Sequence, residues 1–208
     1  MLAILIVGML FLVVQANQRG RQLKAEHDRL AAMYGELPVV DEKQYFIMFS
    51  SAEGLDHGDS NRLFHWRIYH PDLPFGIAHR MQTGRTAYSS NGNSGSASEI
   101  LASARFRVLD GKPEIYCKFR DSFTSVGRFP KEIRAFVVKY WKQFDIEILG
   151  QGNAAVVPAS EVVPLLRIRI PESLFDELPA NLSKKKKQQY RSTPIAELLI
   201  ADSKVLDP

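Results

Sequence analysis

The chain has one cysteine, Cys117, among 208 residues, so no intramolecular disulfide can form, and neither a cysteine-ligated zinc site nor a Cys-x-x-Cys redox pair is available. It has no HExxH pattern, no EF-hand loop, no glycine-rich phosphate loop and no serine elbow, so the sequence offers none of the chemistry those motifs carry. Charge of one sign is also scarce. The net charge is +4, part of it from a single lysine run, so a nucleic-acid footprint spread over a whole face is not indicated. No catalytic residue, metal ligand set or cofactor motif stands out.

Long apolar runs are limited to the N-terminus, where every residue through Val14 in MLAILIVGMLFLVV is apolar or glycine. A bilayer-spanning helix takes about 20 residues, with about 17 as a lower limit, whereas about 10–14 also fits the core of an export signal. Two features favour an anchor. Only the terminal amine supplies positive charge ahead of the run, whereas an export signal normally begins with basic residues. Between Gln15 and Met33 there is no proline and one glycine, and Leu23, Leu30 and Met33 fall at helical spacing among charged neighbours. Gln15 and Ala16 can lie at the interface while Arg19 and Arg21 reach towards headgroups. The expected organisation is a transmembrane helix at 1–16 contacting the lipid bilayer, a helical stalk at 17–35 and a soluble domain at 36–208. A cleaved export signal and a buried helix are the alternatives. The basic residues following the run favour a cytoplasmic domain.

Beyond Gly35 and Pro38 the pattern alternates. In RLFHWRIYHP, Phe64, Trp66 and Ile68 share one side of a strand, with His65, Arg67 and Tyr69 on the other. QYFIMFSS at 44–51 is a second strand, joined to the first by a polar loop. The Ser-, Gly- and Asn-rich stretch 83–98 reads as a long surface loop or hairpin end. ASARFRVLDGKPEIYCKF reads as a hairpin: Ala104, Phe106 and Val108 face inward, Asp110 and Gly111 turn, and Ile115, Cys117 and Phe119 face inward again. Cys117 is then a buried small hydrophobe rather than a nucleophile. Helical spacing returns in FPKEIRAFVVKYWKQF, with Pro130 at its start and Ile133, Phe136, Val137 and Tyr140 on one side. VVPLLRIRIPES and IAELLIADS supply further strands. The expected fold class is α+β, a mainly antiparallel sheet or small sandwich with one covering helix, preceded by the N-terminal helix.

Three groups carry possible chemistry. Asp56, His57 and Asp59, with His65, His70 and His79 further on, are metal-ligand types at a spacing that matches no zinc or calcium loop, which favours a solvated turn over a hydrolase site. Lys184, Lys185, Lys186 and Lys187, followed by Arg191, could hold an anionic surface, although a charge run after Pro179 is more often a solvated loop. Arg105 and Arg107, with Lys118 and Arg120 and with Arg167 and Arg169, could form a basic sheet face around Tyr116 that takes an anionic polymer, if their strands adjoin. Like charges directly opposite would oppose that pairing.

The order of parts resembles a group of uncharacterised planctomycete membrane-anchored small proteins: a short N-terminal membrane helix, a charged helical stalk, then a β-rich domain. The residues that carry the likeness are the anchor and stalk up to Met33, the HWRIYHP stretch and VVPLLRIRIPES. The resemblance implies a membrane-tethered domain and brings over no catalytic residue. The expectation is a single-pass membrane protein with an interaction or scaffolding domain, open to a protein partner. The alternative is an exported module for an anionic envelope polymer or glycan.

Overall fold

A computed structural model of the chain describes residues 13, 15–25, 27–28, 41, 43–50, 63–71, 75–82, 86–90, 98–119 and 123–202. The chain divides into two compact units, Met1–Pro38 and Val39–Pro208. In the first, residues 15–25 form helix α1. The expected membrane helix at 1–16 lies mostly outside the described residues, and among those described no helix is long and apolar enough to cross a membrane. The Asp56–His57–Gly58–Asp59 loop and Arg120 also lie outside them.

The second unit is α+β with antiparallel sheets. In chain order it contains β1 (Gln44–Ser50), β2 (Leu63–His70), β3 (Phe75–Met81), β4 (Thr86–Ser90), β5 (Ser98–Leu109), β6 (Lys112–Phe119), β7 (Phe123–Arg128), α2 (Arg134–Tyr140), β8 (Asp145–Ile148), β9 (Ala155–Pro158), β10 (Val163–Arg169), α3 (Lys184–Ser192) and β11 (Ala196–Asp202). The larger sheet has six strands in the order β7-β6-β5-β2-β1-β9, and the smaller has five in the order β4-β3-β11-β10-β8.

Period-two alternation sends one face of each sheet into a shared core. Tyr45, Ile47, Trp66, Ile68, Ala104, Phe106, Ile115 and Cys117 come from the larger sheet, and Ile77, Met81, Leu166, Ile168, Leu198 and Ile200 from the smaller. The Trp66 indole N–H donates to the Leu149 carbonyl at 3.1 Å, tying β2 to the end of β8. The Asp110–Gly111 turn is a two-residue connection between register partners Leu109 and Lys112. Its φ values of 50° and 71° are the two positive angles a type I′ hairpin requires, which explains the Asp-Gly pair.

The 130–144 stretch forms a 3-10 turn at Lys131–Ile133, then α2, then a second 3-10 turn at Trp141–Gln143. Pro130 is its N-cap. Ile133, Phe136, Val137, Trp141 and Phe144 join the same core, and Trp141 stacks on Phe106 with ring centroids 3.4 Å apart.

Three expectations change. The lysine-rich stretch is helical, because Ser183 caps its N-terminus by accepting from the Lys186 N–H, and Tyr190 supplies the buried anchor that a solvated loop would lack. The stretch 83–98, expected as a long surface loop or hairpin end, contains a strand, β4 at Thr86–Ser90, antiparallel to β3, and ends at the first residue of β5. The basic strands do not form one face, because β10 belongs to the smaller sheet.

Candidate functional site

The larger sheet turns its other face away from the core. Register fixes what lies there. Arg107, Glu114 and Arg128 form one cross-strand row, and Arg105, Tyr116 and Val126 form the next, with Leu63 beside Arg105. Then come Thr124, Lys118, Ser103, His65 and Ser50, followed by Leu101, Arg67 and Met48, and finally Glu99, Tyr69 and Phe46. Arg105, Arg107, Lys118, Arg128 and Arg67 thus share a face whose acids among the described residues are Glu114 and Glu99. Glu114 sits between two arginines, 2.6 Å from Arg107 Nε and 3.8 Å from Arg128 Nε. The Arg107 guanidinium also lies 4.7 Å from the centre of the Tyr116 ring, a cation–π distance.

At its β1–β2 end this outward face is buried. Phe46 is 1% exposed and Arg67 0%, although neither belongs to the inter-sheet core. Arg67 Nε donates to Glu99 Oε2 at 2.8 Å. Its Nη2 lies 2.6 Å from the same oxygen but without hydrogen-bond geometry, and Nη1 has no hydrogen-bond partner. Three neighbouring atoms share that state: Ser50 Oγ, His65 Nε2 and Arg105 Nε are buried without a hydrogen-bond partner. Burial holds the His65 imidazole below the usual histidine range, so it is neutral at pH 7. A buried polar group left unpaired costs about 1–3 kcal/mol, and most folded chains pair nearly all of theirs. Five unsatisfied atoms on four side chains in adjoining rows of one face are therefore a concentration of hydrogen-bonding capacity that packing does not account for.

Arg167 and Arg169 occupy the outward face of the smaller sheet and are engaged by acids. Arg80, Glu197, Arg167 and Glu147 form one cross-strand row over β3, β11, β10 and β8. Arg80 Nη1 lies 3.3 Å from Glu197, Arg167 Nε 3.0 Å from Glu197, and Arg169 Nε 3.3 Å from Glu147. The alternating signs make this a ladder of ion pairs rather than a basic patch.

The other basic candidates are partly committed too. Lys186 pairs with Glu132, and Arg191 lies over the Phe175 ring at 4.9 Å from its centre. Lys184 and Lys185 are exposed, and Lys187 is half-buried. All four lysines fall in the first turn of α3, where the positive end of the helix dipole disfavours them.

Inside the sandwich, Ser125 on β7 and His79 on β3 meet, with Oγ and Nδ1 2.5 Å apart. Cys117 is Ser125's cross-strand partner. It lines a small cavity with His79, Met81, Ile115 and Leu166. Burial pushes the Cys117 thiol up to about 12, so it is protonated and unreactive at neutral pH. The Ser125–His79 contact serves to satisfy a buried imidazole.

The cationic face and its Arg67 cluster depend on long-range register that single-sequence reading does not supply. Arg67 reads as an ordinary polar-face residue of its strand, and Glu99 lies 32 positions away. The fold is an α+β domain of two antiparallel sheets, with a cation-rich outward face on the larger and an ion-paired outward face on the smaller. Comparison with known protein families, curated proteins and solved structures found no match.

Proposed function

We propose that this chain is a membrane-tethered interaction domain that presents the outward face of its larger sheet to an anionic partner at the membrane surface. The observation that carries the reading is the gathering of Arg67, Arg105, Arg107, Lys118 and Arg128 on one face, whose acids among the described residues are Glu99 and Glu114. Cations in excess of acids on a rigid sheet raise the local concentration of an anionic partner and steer its approach. Tyr116 and the part-exposed Val126 add apolar contact area between the charges. The apolar run through Val14 supports the tether, as does the resemblance to anchored planctomycete proteins. The lysines of α3 are a secondary attachment point to anionic headgroups.

The test has two arms. Membranes from cells expressing the full chain with a C-terminal tag are washed with high salt and then alkaline carbonate. The tether requires the full-length chain to remain with the membrane. A shortened soluble product points instead to an exported module. In parallel, detergent-purified full chain is passed over heparin as a polyanion probe. Arg107→Gln combined with Arg128→Gln lowers the salt needed for elution, whereas Arg169→Gln, on the ladder face, leaves it nearly unchanged. Equal effects from both faces would sink the assignment of the partner to the larger sheet.

A further inference from the structure

We propose that Ser50, His65, Arg67 and Arg105 form a binding site for a tetrahedral phosphate-type oxyanion on the outward face of the larger sheet. The inference deepens the anionic-partner reading of that face and gives it a specific ligand chemistry.

Placement is set by register. Ser50 and His65 are direct cross-strand partners on β1 and β2. Arg67 lies two residues along β2 on one side of His65, and Arg105 pairs with Leu63, two residues along on the other side. Alternation puts all four side chains on one face, with His65 at the centre. Adjacent strands are about 4.8 Å apart and successive same-face residues about 6.8 Å, so the long Arg105 side chain can reach the imidazole and the hydroxyl from one end. At the other end Glu99, in the row beyond Arg67, holds Arg67 Nε and Nη2 and leaves Nη1 unmet.

The unmet atoms determine the ligand. Arg67 Nη1 and Arg105 Nε are obligatory donors, and His65 Nε2 and Ser50 Oγ each donate in one tautomer or rotamer. The available partner must therefore accept several hydrogen bonds converging from different directions. Glu99 already balances the charge of Arg67, and Arg105 contributes a second positive charge outside that pair. A phosphate-type group has oxygens pointing in several directions, whereas a planar carboxylate has two oxygens in one plane. Guanidinium recognition of such oxyanions is strong because the hydrogen bonds are charge-assisted. Arg67 is 0% exposed and the unmet atoms are buried, so hydrogen bonds made to them are screened less than surface ion pairs.

The experiment uses detergent-purified full chain with inorganic phosphate, glycerol phosphate and acetate as probes, followed by calorimetric titration and by the ligand-induced shift in melting midpoint. The expected result is saturable phosphate binding at one site, with acetate at least about tenfold weaker. Arg105→Gln and Ser50→Ala should each weaken phosphate binding about fivefold or more while the melting midpoint without ligand stays near that of the parent chain. Arg67→Lys, which keeps the charge but loses the fork, should weaken it further. Binding of glycerol phosphate alone would uphold the site and identify the source as an esterified phosphate. Phosphate binding that is absent, that ignores Arg105→Gln and Ser50→Ala, or that acetate matches would overturn the proposal. Heparin retention on the same preparation separates the two readings: retained chain without phosphate binding removes this site and leaves the cationic face standing, whereas loss of both removes the face as well.

Discussion

His79 on the smaller sheet accepts or donates a hydrogen bond to Ser125 on the edge strand of the larger one, with Nδ1 and Oγ 2.5 Å apart. The pair joins the two sheets where β3 meets β7, and burial holds His79 below the usual histidine range. His65 is held down by burial as well. An unfolded histidine titrates near 6.5. Below that pH the unfolded chain binds more protons than the folded one, so stability contributed by neutral burial is intact above about 6.5 and is lost as pH falls towards the folded-state values. Urea unfolding midpoints at pH 7.5 and 5.5 should differ in the parent chain. The His65→Gln, His79→Gln double variant should narrow that difference, and an unchanged difference would show that other groups carry it.

Gly150 contrasts with Gly152. Both have positive φ, 78° and 87°, but a Cβ at Gly150 would lie 2.5 Å from the Ile47 carbonyl oxygen, whereas one at Gly152 meets nothing within 4 Å. Alanine at Gly152 should cost about 1 kcal/mol from backbone strain alone. At Gly150 the strain adds to a clash with the backbone of a central strand, and the loss should be at least about 2 kcal/mol. Equal losses in denaturant titrations would refute the close approach.

Cys117 should be silent towards thiol reagents. Its thiol, pushed up to about 12, is essentially all protonated at pH 8 and lies in the core. Labelling by an aromatic disulfide should be at least about a hundredfold slower in native chain than in urea, because only the exposed thiolate reacts. Rapid native labelling would mean that the sandwich opens readily at this point.

Much of this interior was legible beforehand. The 104–119 hairpin was readable because its two strands alternate cleanly and Asp110-Gly111 is a local turn signal. Strand β2 was readable from Phe64, Trp66 and Ile68. The helix at 184–192 was not, because four adjacent lysines give no apolar period and its lone buried contact, Tyr190, comes late in the stretch. The Arg67 cluster was hidden for a different reason. Its members look ordinary within their own strands, and only the pairing of β1, β2 and β5 brings them to adjoining positions.

Removing Glu197 tests the ladder. It is 10% exposed at its side chain and touches both Arg80 and Arg167. Replacing it with glutamine should lower stability by about 0.5–1 kcal/mol at low salt, and the difference should shrink at high salt. A loss that persists at high salt would indicate a packing role rather than an ionic one.

That ladder also leaves the two outward faces unequally charged among the described residues. Arg80, Arg167 and Arg169 are matched by Glu197, Glu147 and Asp145 along β3, β11, β10 and β8, whereas the cations of the opposite sheet outnumber Glu99 and Glu114. In the field of a negatively charged surface such a body feels a torque as well as a pull. It would rotate until the larger sheet faces the surface, so its orientation is favoured before any specific contact forms.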